Sequence, residues 1–174
     1  MDVKQAIEER RSIRKYQDKE VPEEFIKEML EAARLAPSGN NAQPWLYKVI
    51  KDSQQKEKLR ENEIFKQEFV YEAPVIIVCC ANPEAYPKAK FEEGFDDSYE
   101  SRAARDLTIA TDHLVLRATE LGLGTCWVGW MEKNKIKDVL NIPKDYVVPY
   151  VITVGYAAQE PKPLKRKSID EIIL

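Results

Sequence analysis

The run 73–81, Ala-Pro-Val-Ile-Ile-Val-Cys-Cys-Ala, is the longest apolar stretch in the chain and the strongest constraint on its fold. It is rich in β-branched residues and far short of the roughly 20 apolar residues a membrane span needs, so it reads as an inner strand of a sheet. Pro74 stands at its start, where a missing N–H is tolerated. Side chains alternate across a strand, so Cys79 and Cys80 must face opposite ways.

The rest of the chain supplies neighbours for that strand. Residues 146–156 form a second β-branched, mostly apolar strand pattern, and 45–50 a third. Asp2 is placed to cap a short helix carrying Val3, Ala6 and Ile7 on one face. Pro22 opens a second helix, with Glu23 and Glu24 at its positive end and Phe25, Ile26, Met29, Leu30 and Ala33 on its apolar face. Residues 52–69 read as a polar helix, and 131–140 as a short one. The longest helix spans 101–121, where Ala103, Leu107, Ala110, Leu114, Ala118 and Leu121 line one face. Ile109, Val115 and Leu116 lie off that face, so the helix needs more than one layer of cover, which a partner subunit would supply. Gly122 and Gly124 are read as its stop. Residues 82–99, with two prolines and many acids, read as a mobile loop or small helical lid. With neither repeat nor linker, 174 residues fit one domain, 1–174, of α+β sandwich type.

Composition excludes several function classes. The 27 basic and 30 acidic residues nearly balance, so there is no global pull toward nucleic acid or membrane, and any anion site must be local. The first 14 residues lack the apolar core of a secretory signal. Cys79, Cys80 and Cys126 lack metal spacing, and free thiols fit a reducing, cytoplasmic setting. His113 is the only histidine and sits mid-helix, as a core or interface residue rather than a base. No metal set and no nucleophile–His–acid arrangement is readable.

Four segments carry possible chemistry. Arg10, Arg11, Ser12 and Arg14 put three guanidiniums and a hydroxyl within five residues, a fork of donors suited to phosphate; the same run also reads as a solvated helix end. The loop Pro37-Ser38-Gly39-Asn40-Asn41-Ala42-Gln43 crowds amides and a hydroxyl between a helix and a strand. It suits a flat polar ring, and it also reads as an ordinary connection. Gly122-Leu123-Gly124-Thr125-Cys126-Trp127-Val128-Gly129 lets backbone approach a planar ligand, or else marks a helix stop before a buried strand. It is not a dinucleotide fingerprint, because its spacing differs and it follows a helix. Lys165-Arg166-Lys167 is either solvated charge or a second phosphate clamp.

In this order, Glu-Arg-Arg-Ser-Ile-Arg-Lys-Tyr, Ala-Pro-Ser-Gly-Asn-Asn-Ala-Gln-Pro-Trp and Gly-Leu-Gly-Thr-Cys-Trp-Val-Gly resemble the signatures of the FMN-dependent nitroreductase family across nearly the whole chain. The resemblance implies a central, mostly antiparallel sheet flanked by helices, in an intertwined homodimer with two FMN sites at its interface. It implies that Arg10 and the Lys165 to Lys167 segment hold the FMN phosphate, with Arg11 also among the cofactor-binding residues. Ser12 would touch the ribityl chain or the ring edge, and Arg14 would lie by the pyrimidine side of the ring. Pro37, Ser38, Gly39, Asn41 and Gln43 would come from the other subunit. The backbone of Cys126, Trp127, Val128 and Gly129 would line the ring, with an N–H near N5. The tail, about 157–174, would reach the partner. NADH or NADPH would be the electron donor and a nitroaromatic, quinone or similar small molecule the acceptor. Other outcomes compatible with the resemblance are a specialised flavoenzyme, reductive dehalogenase-like or flavin-consuming, and a non-catalytic flavin-binding dimer. Where relatives carry an Asn-Gln pair this chain has Lys66-Gln67, and substrate preference is expected to lie in 82–99.

Overall fold

A computed structural model describes residues 1–87 and 98–174. Ten elements follow in chain order: α1 (Val3–Glu9), α2 (Glu23–Arg34), β1 (Trp45–Ile50), α3 (Ser53–Glu61), α4 (Phe69–Glu72), β2 (Val75–Ala81), α5 (Tyr99–Glu120), β3 (Gly124–Val128), α6 (Lys133–Leu140) and β4 (Val147–Gly155). Most of the expected lid, 88–97, lies outside the described residues.

The strands form one antiparallel sheet in the order β1-β2-β4-β3. Every residue of β2 is buried, as its unbroken apolar run demands. Val75, Ile77, Cys79 and Ala81 face a core closed by α2 and α5, and Ile76, Val78 and Cys80 face a second core under α3, α4 and α6. The two adjacent thiols do point to opposite layers. Helix cover on both faces is what leaves the sheet edges as the places where something further can bind.

Local signals placed the start of α1 and the turn after α5. Asp2 closes a capping box with Gln5. Gly122, at φ +75°, makes the turn after α5.

Three expectations needed correction. The helix expected over 52–69 breaks after Glu61, because Ile64 and Phe65 leave the polar face for the second core and Phe65 pairs with Met131. Gly124 does not stop α5; it opens β3. The off-face residues of α5 do not all need a partner. Val115 is buried within the chain and Leu116 half-buried in a groove beside Val3 and Ala6 of α1, leaving Ile109 as the exposed one.

Within the break at 62–68, one hydroxyl satisfies both backbone groups of Phe65. Tyr71 accepts the Phe65 N–H (2.8 Å) and donates to the Phe65 carbonyl (3.0 Å), both within the core. Tyr71→Phe strands both backbone groups without water. A loss of about 2–3 kcal/mol is expected, seen as a lower urea midpoint with an unchanged slope.

Candidate functional site

The site begins with how residues 12–17 lie along an open sheet edge. The Ile13 N–H donates to the Thr125 carbonyl (2.8 Å), and Ser12 bridges Thr125 in parallel fashion. Further on, the segment leaves β3 and laces to the continuation of β4. Gln17 N–H reaches the Tyr156 carbonyl (2.9 Å) and Ala158 N–H the Lys15 carbonyl (2.9 Å). Two glycines make room. A Cβ on Gly124 would stand 2.5 Å from Ile13 Cγ1, and one on Gly155 would stand 2.8 Å from the Tyr16 ring. The Tyr16 hydroxyl donates to the Ile13 carbonyl (2.8 Å) and lies 2.7 Å from Thr153 Oγ1, tying the segment to β4. Burial raises the pKa of this phenol far above its ordinary value, so it stays protonated.

This lacing gathers positive charge. A groove of about 530 Å³ is lined by Arg10, Arg11, Arg14, Lys162 and Arg166, with Ser12 among them and Glu8 the one acid among the described residues. Arg11 is partly committed, donating to the carbonyls of Glu8 (2.6 Å) and Arg10 (2.8 Å) at the end of α1. Lys165 and Lys167 flank Arg166 and are exposed. Of the expected Lys165-Arg166-Lys167 clamp, Arg166 lines the groove; the sequence reading passed over Lys162, for which the available signal was the cation-rich span 162–167. Five cations around one acid suit a phosphate or another polyanion.

Beside the groove runs the outer edge of β3. Its other side pairs with β4, and Thr125 turns its carbonyl outward to Ile13. Alternation along the strand therefore turns the Trp127 N–H toward the same open edge. The Trp127 ring packs edge-on against Tyr150 (4.7 Å), away from that edge. Val128 is buried, while Gly129 leaves the backbone bare and exposed. Cys126 is buried within reach of Ser12. Burial raises its pKa, against the opposing pull of Arg14, Ser12 and Arg10, so it is a thiol rather than a thiolate nucleophile.

The amide loop lies elsewhere. Gly39–Asn41 form a 3₁₀ turn just before β1. Asn40, Asn41 and Gln43 all have positive φ, a concentration of backbone strain of the kind kept for a purpose. Pro37, Asn41 and Gln43 are exposed, and Ser38 and Gly39 half-exposed. Ser38 Oγ accepts the Gln43 N–H (2.9 Å), and Gly39 N–H donates to Asp106 Oδ2 (2.8 Å).

Sheet order decides whether these parts meet. β1 and β3 are opposite edges, and Trp45 is level, through Ala81, with Val147, whereas Thr125 is level with Val154. Three strand spacings and seven residues of strand put the two clusters roughly 28 Å apart, at diagonal corners. Within one chain, the cation groove and the β3 edge come together; the amide loop does not join them.

This arrangement defines an α+β protein with an anion groove beside an open strand edge and a separate, strained, donor-rich loop. Its donor set fits a flat ring carrying a phosphate: cations for the phosphate, bare backbone for the ring. The nitroreductase family profile matches residues 7–67 and 62–156. A provisionally named NADH dehydrogenase/NAD(P)H nitroreductase of Methanothermobacter thermautotrophicus is 39% identical over 168 residues, covering 92% of this chain and 80% of that protein. An FMN reductase [NAD(P)H] of Bacillus subtilis is 30% identical, covering 90% of this chain and 66% of that protein. The structure of an FMN-dependent nitroreductase from Clostridium difficile superposes with a TM-score of 0.76 at 30% identity, over 92% of this chain and 90% of that one. The chain belongs to the nitroreductase family.

Proposed function

We propose that this protein is an FMN-dependent NAD(P)H oxidoreductase that works as a homodimer and reduces nitroaromatics, quinones or similar small molecules. The observation that carries the reading is the cation groove lying against an open strand edge. When bound, FMN would supply the redox chemistry, hydride transfer through N5 between NADH or NADPH and the acceptor.

The chain's own residues bind, orient and tune. Arg10, with Lys165, Lys167 and the groove cations Lys162 and Arg166, neutralises the phosphate, and Arg11 adds charge there while capping α1. Ser12 meets the ribityl chain. Arg14 sets positive charge by the pyrimidine side, favouring an anionic ring. The backbone of 126–129 lines the ring and aims the Trp127 N–H at its edge. Pro37, Ser38, Gly39, Asn41 and Gln43 arrive from a second copy, and the 157–174 tail reaches across to that copy. No side chain serves as general acid, which suits a chain whose one histidine, His113, sits in α5. Buried free thiols accord with a cytoplasmic setting. Among the described residues no helix is long and apolar enough to cross a membrane.

Purified protein supplied with FMN is expected to hold it, to bleach on anaerobic mixing with NADH or NADPH, and to recolour on adding a quinone or nitroaromatic. Steady-state data should give parallel double-reciprocal lines, since donor and acceptor share one place. Protein that takes up no FMN, or bound FMN that neither nicotinamide bleaches, sinks the proposal.

A further inference from the structure

Asp106 has no role in the reading above, yet it is a charged residue only 4% exposed in the middle of α5. It stands on the helix's apolar stripe, three residues after Ala103 and four before Ala110. One oxygen, Oδ2, accepts both the Gly39 N–H (2.8 Å) and the Tyr86 hydroxyl (2.7 Å). Arg105 Nε lies 3.8 Å from the other oxygen. Tyr86 is itself buried, with the Arg102 guanidinium 5.1 Å from its ring. Burial, reinforced by the Asp106 carboxylate, keeps the Tyr86 phenol protonated and therefore a donor.

The significance lies in what Gly39 belongs to. Among the described residues, the other hydrogen bonds of 38–43 run between neighbours in that loop: Asn41 N–H to the Ser38 carbonyl, Ala42 N–H to the Gly39 carbonyl, Gln43 N–H to Ser38 Oγ, Gln43 Nε2 to the Asn41 carbonyl. Those bonds shape the loop without fixing where it points. The bond to Asp106 joins it to the longest helix. A loop with three left-handed non-glycine residues needs such an anchor, because each costs free energy that a looser conformation would recover. A carboxylate accepting a backbone N–H is also a stronger anchor than a neutral acceptor.

We infer that Asp106 is a positioning residue for flavin binding: with Tyr86 it holds the 38–43 loop in the pose that reaches the cofactor of the second copy. The inference rests on the proposal that this loop contacts FMN. It makes the loop's donors preorganised, so that their ordering cost is met on folding rather than on binding.

The test uses the full-length protein and three variants, Asp106→Ala, Asp106→Asn and Tyr86→Phe. FMN affinity is measured by fluorescence titration, and exchange of the Gly39 amide by NMR before flavin is added. Asp106→Ala is expected to speed Gly39 exchange at least about tenfold and to weaken FMN binding by about 10- to 100-fold, the equivalent of one hydrogen bond to a charged acceptor. Asp106→Asn keeps an acceptor oxygen and should recover most of both effects. Should Asp106→Ala not fold, Tyr86→Phe reads the same coupling: it frees the carboxylate to turn from Gly39, and both quantities should move by about threefold or more. Affinity and exchange must move together; either moving alone, or neither moving, overturns the assignment. Wild-type protein that binds no FMN overturns the underlying reading and this one with it. Wild-type protein that binds, beside a folded Asp106→Ala that binds equally well, overturns this one alone.

Discussion

Replacing Gly124 by valine is expected to weaken FMN binding by on the order of 100-fold or more while leaving the protein folded. The argument runs through Ile13. A Cβ at position 124 would lie 2.5 Å from Ile13 Cγ1 and 2.9 Å from its Cβ, distances that real Cβ atoms do not show. Ile13 is 5% exposed and held by its N–H to the Thr125 carbonyl, so it has no free direction in which to yield. The strand edge and the 12–17 segment must part. Ser12 and Arg14 flank Ile13, and Arg10 lies at the end of α1, so the groove cations lose their common orientation just where charge-assisted bonds depend on it. Gly122→Ala is the control. Nothing lies within 4 Å of its Cβ, and the strain of φ +75° should cost about 1 kcal/mol of stability with little change in flavin affinity. Titration of FMN against both folded variants decides it, and a Gly124→Val protein that binds like the wild type would show that the segment's seat on β3 is not what positions the groove.

Much of this architecture was readable because local rules settle it. The β-branched run of β2 is buried on both faces in fact as in pattern, and β1 needed no correction at either end. The capping box at Asp2 and the opening of α2 near Pro22 follow from side chains acting on the nearest backbone. What escaped depends on residues distant in sequence. β3 is short, glycine-bearing and mixed in character; in sequence a buried strand was one of two readings open there, and pairing with β4 and the seat of Ile13 make it a strand. The break at 62–68 exists because Ile64 and Phe65 are drawn into a core built largely from later residues. Asp106 carried a faint signal, an acid on an apolar stripe, whose partners Gly39 and Tyr86 no local rule would name. The chemistry-bearing segments could be picked out in order, but not that they occupy opposite corners of one sheet, because strand order is a global property.

That separation gives the second large prediction. Two variants are made: one with Arg10→Ala and Arg14→Ala in the groove, the other with Ser38→Ala and Asn41→Ala in the loop. Each homodimer should lose FMN, since every site it forms lacks one half of its donors. A heterodimer purified through two different tags behaves otherwise. β1 and β3 are opposite edges of each sheet, and in the proposed homodimer the groove of one copy takes the loop of the other. One of its two sites then collects both defects and the other collects none, so the heterodimer should hold about half the wild-type flavin and show about half its activity per chain. Were each site built within a single chain, both heterodimer sites would be damaged and mixing would restore nothing. No change of contacts in either variant can imitate that recovery, because it arises only when two damaged chains each contribute an intact half. A heterodimer as empty as its parents would put loop and groove in one site within a single chain and overturn the shared-site proposal, whereas a loop variant that keeps its flavin as a homodimer would assign the loop a separate task.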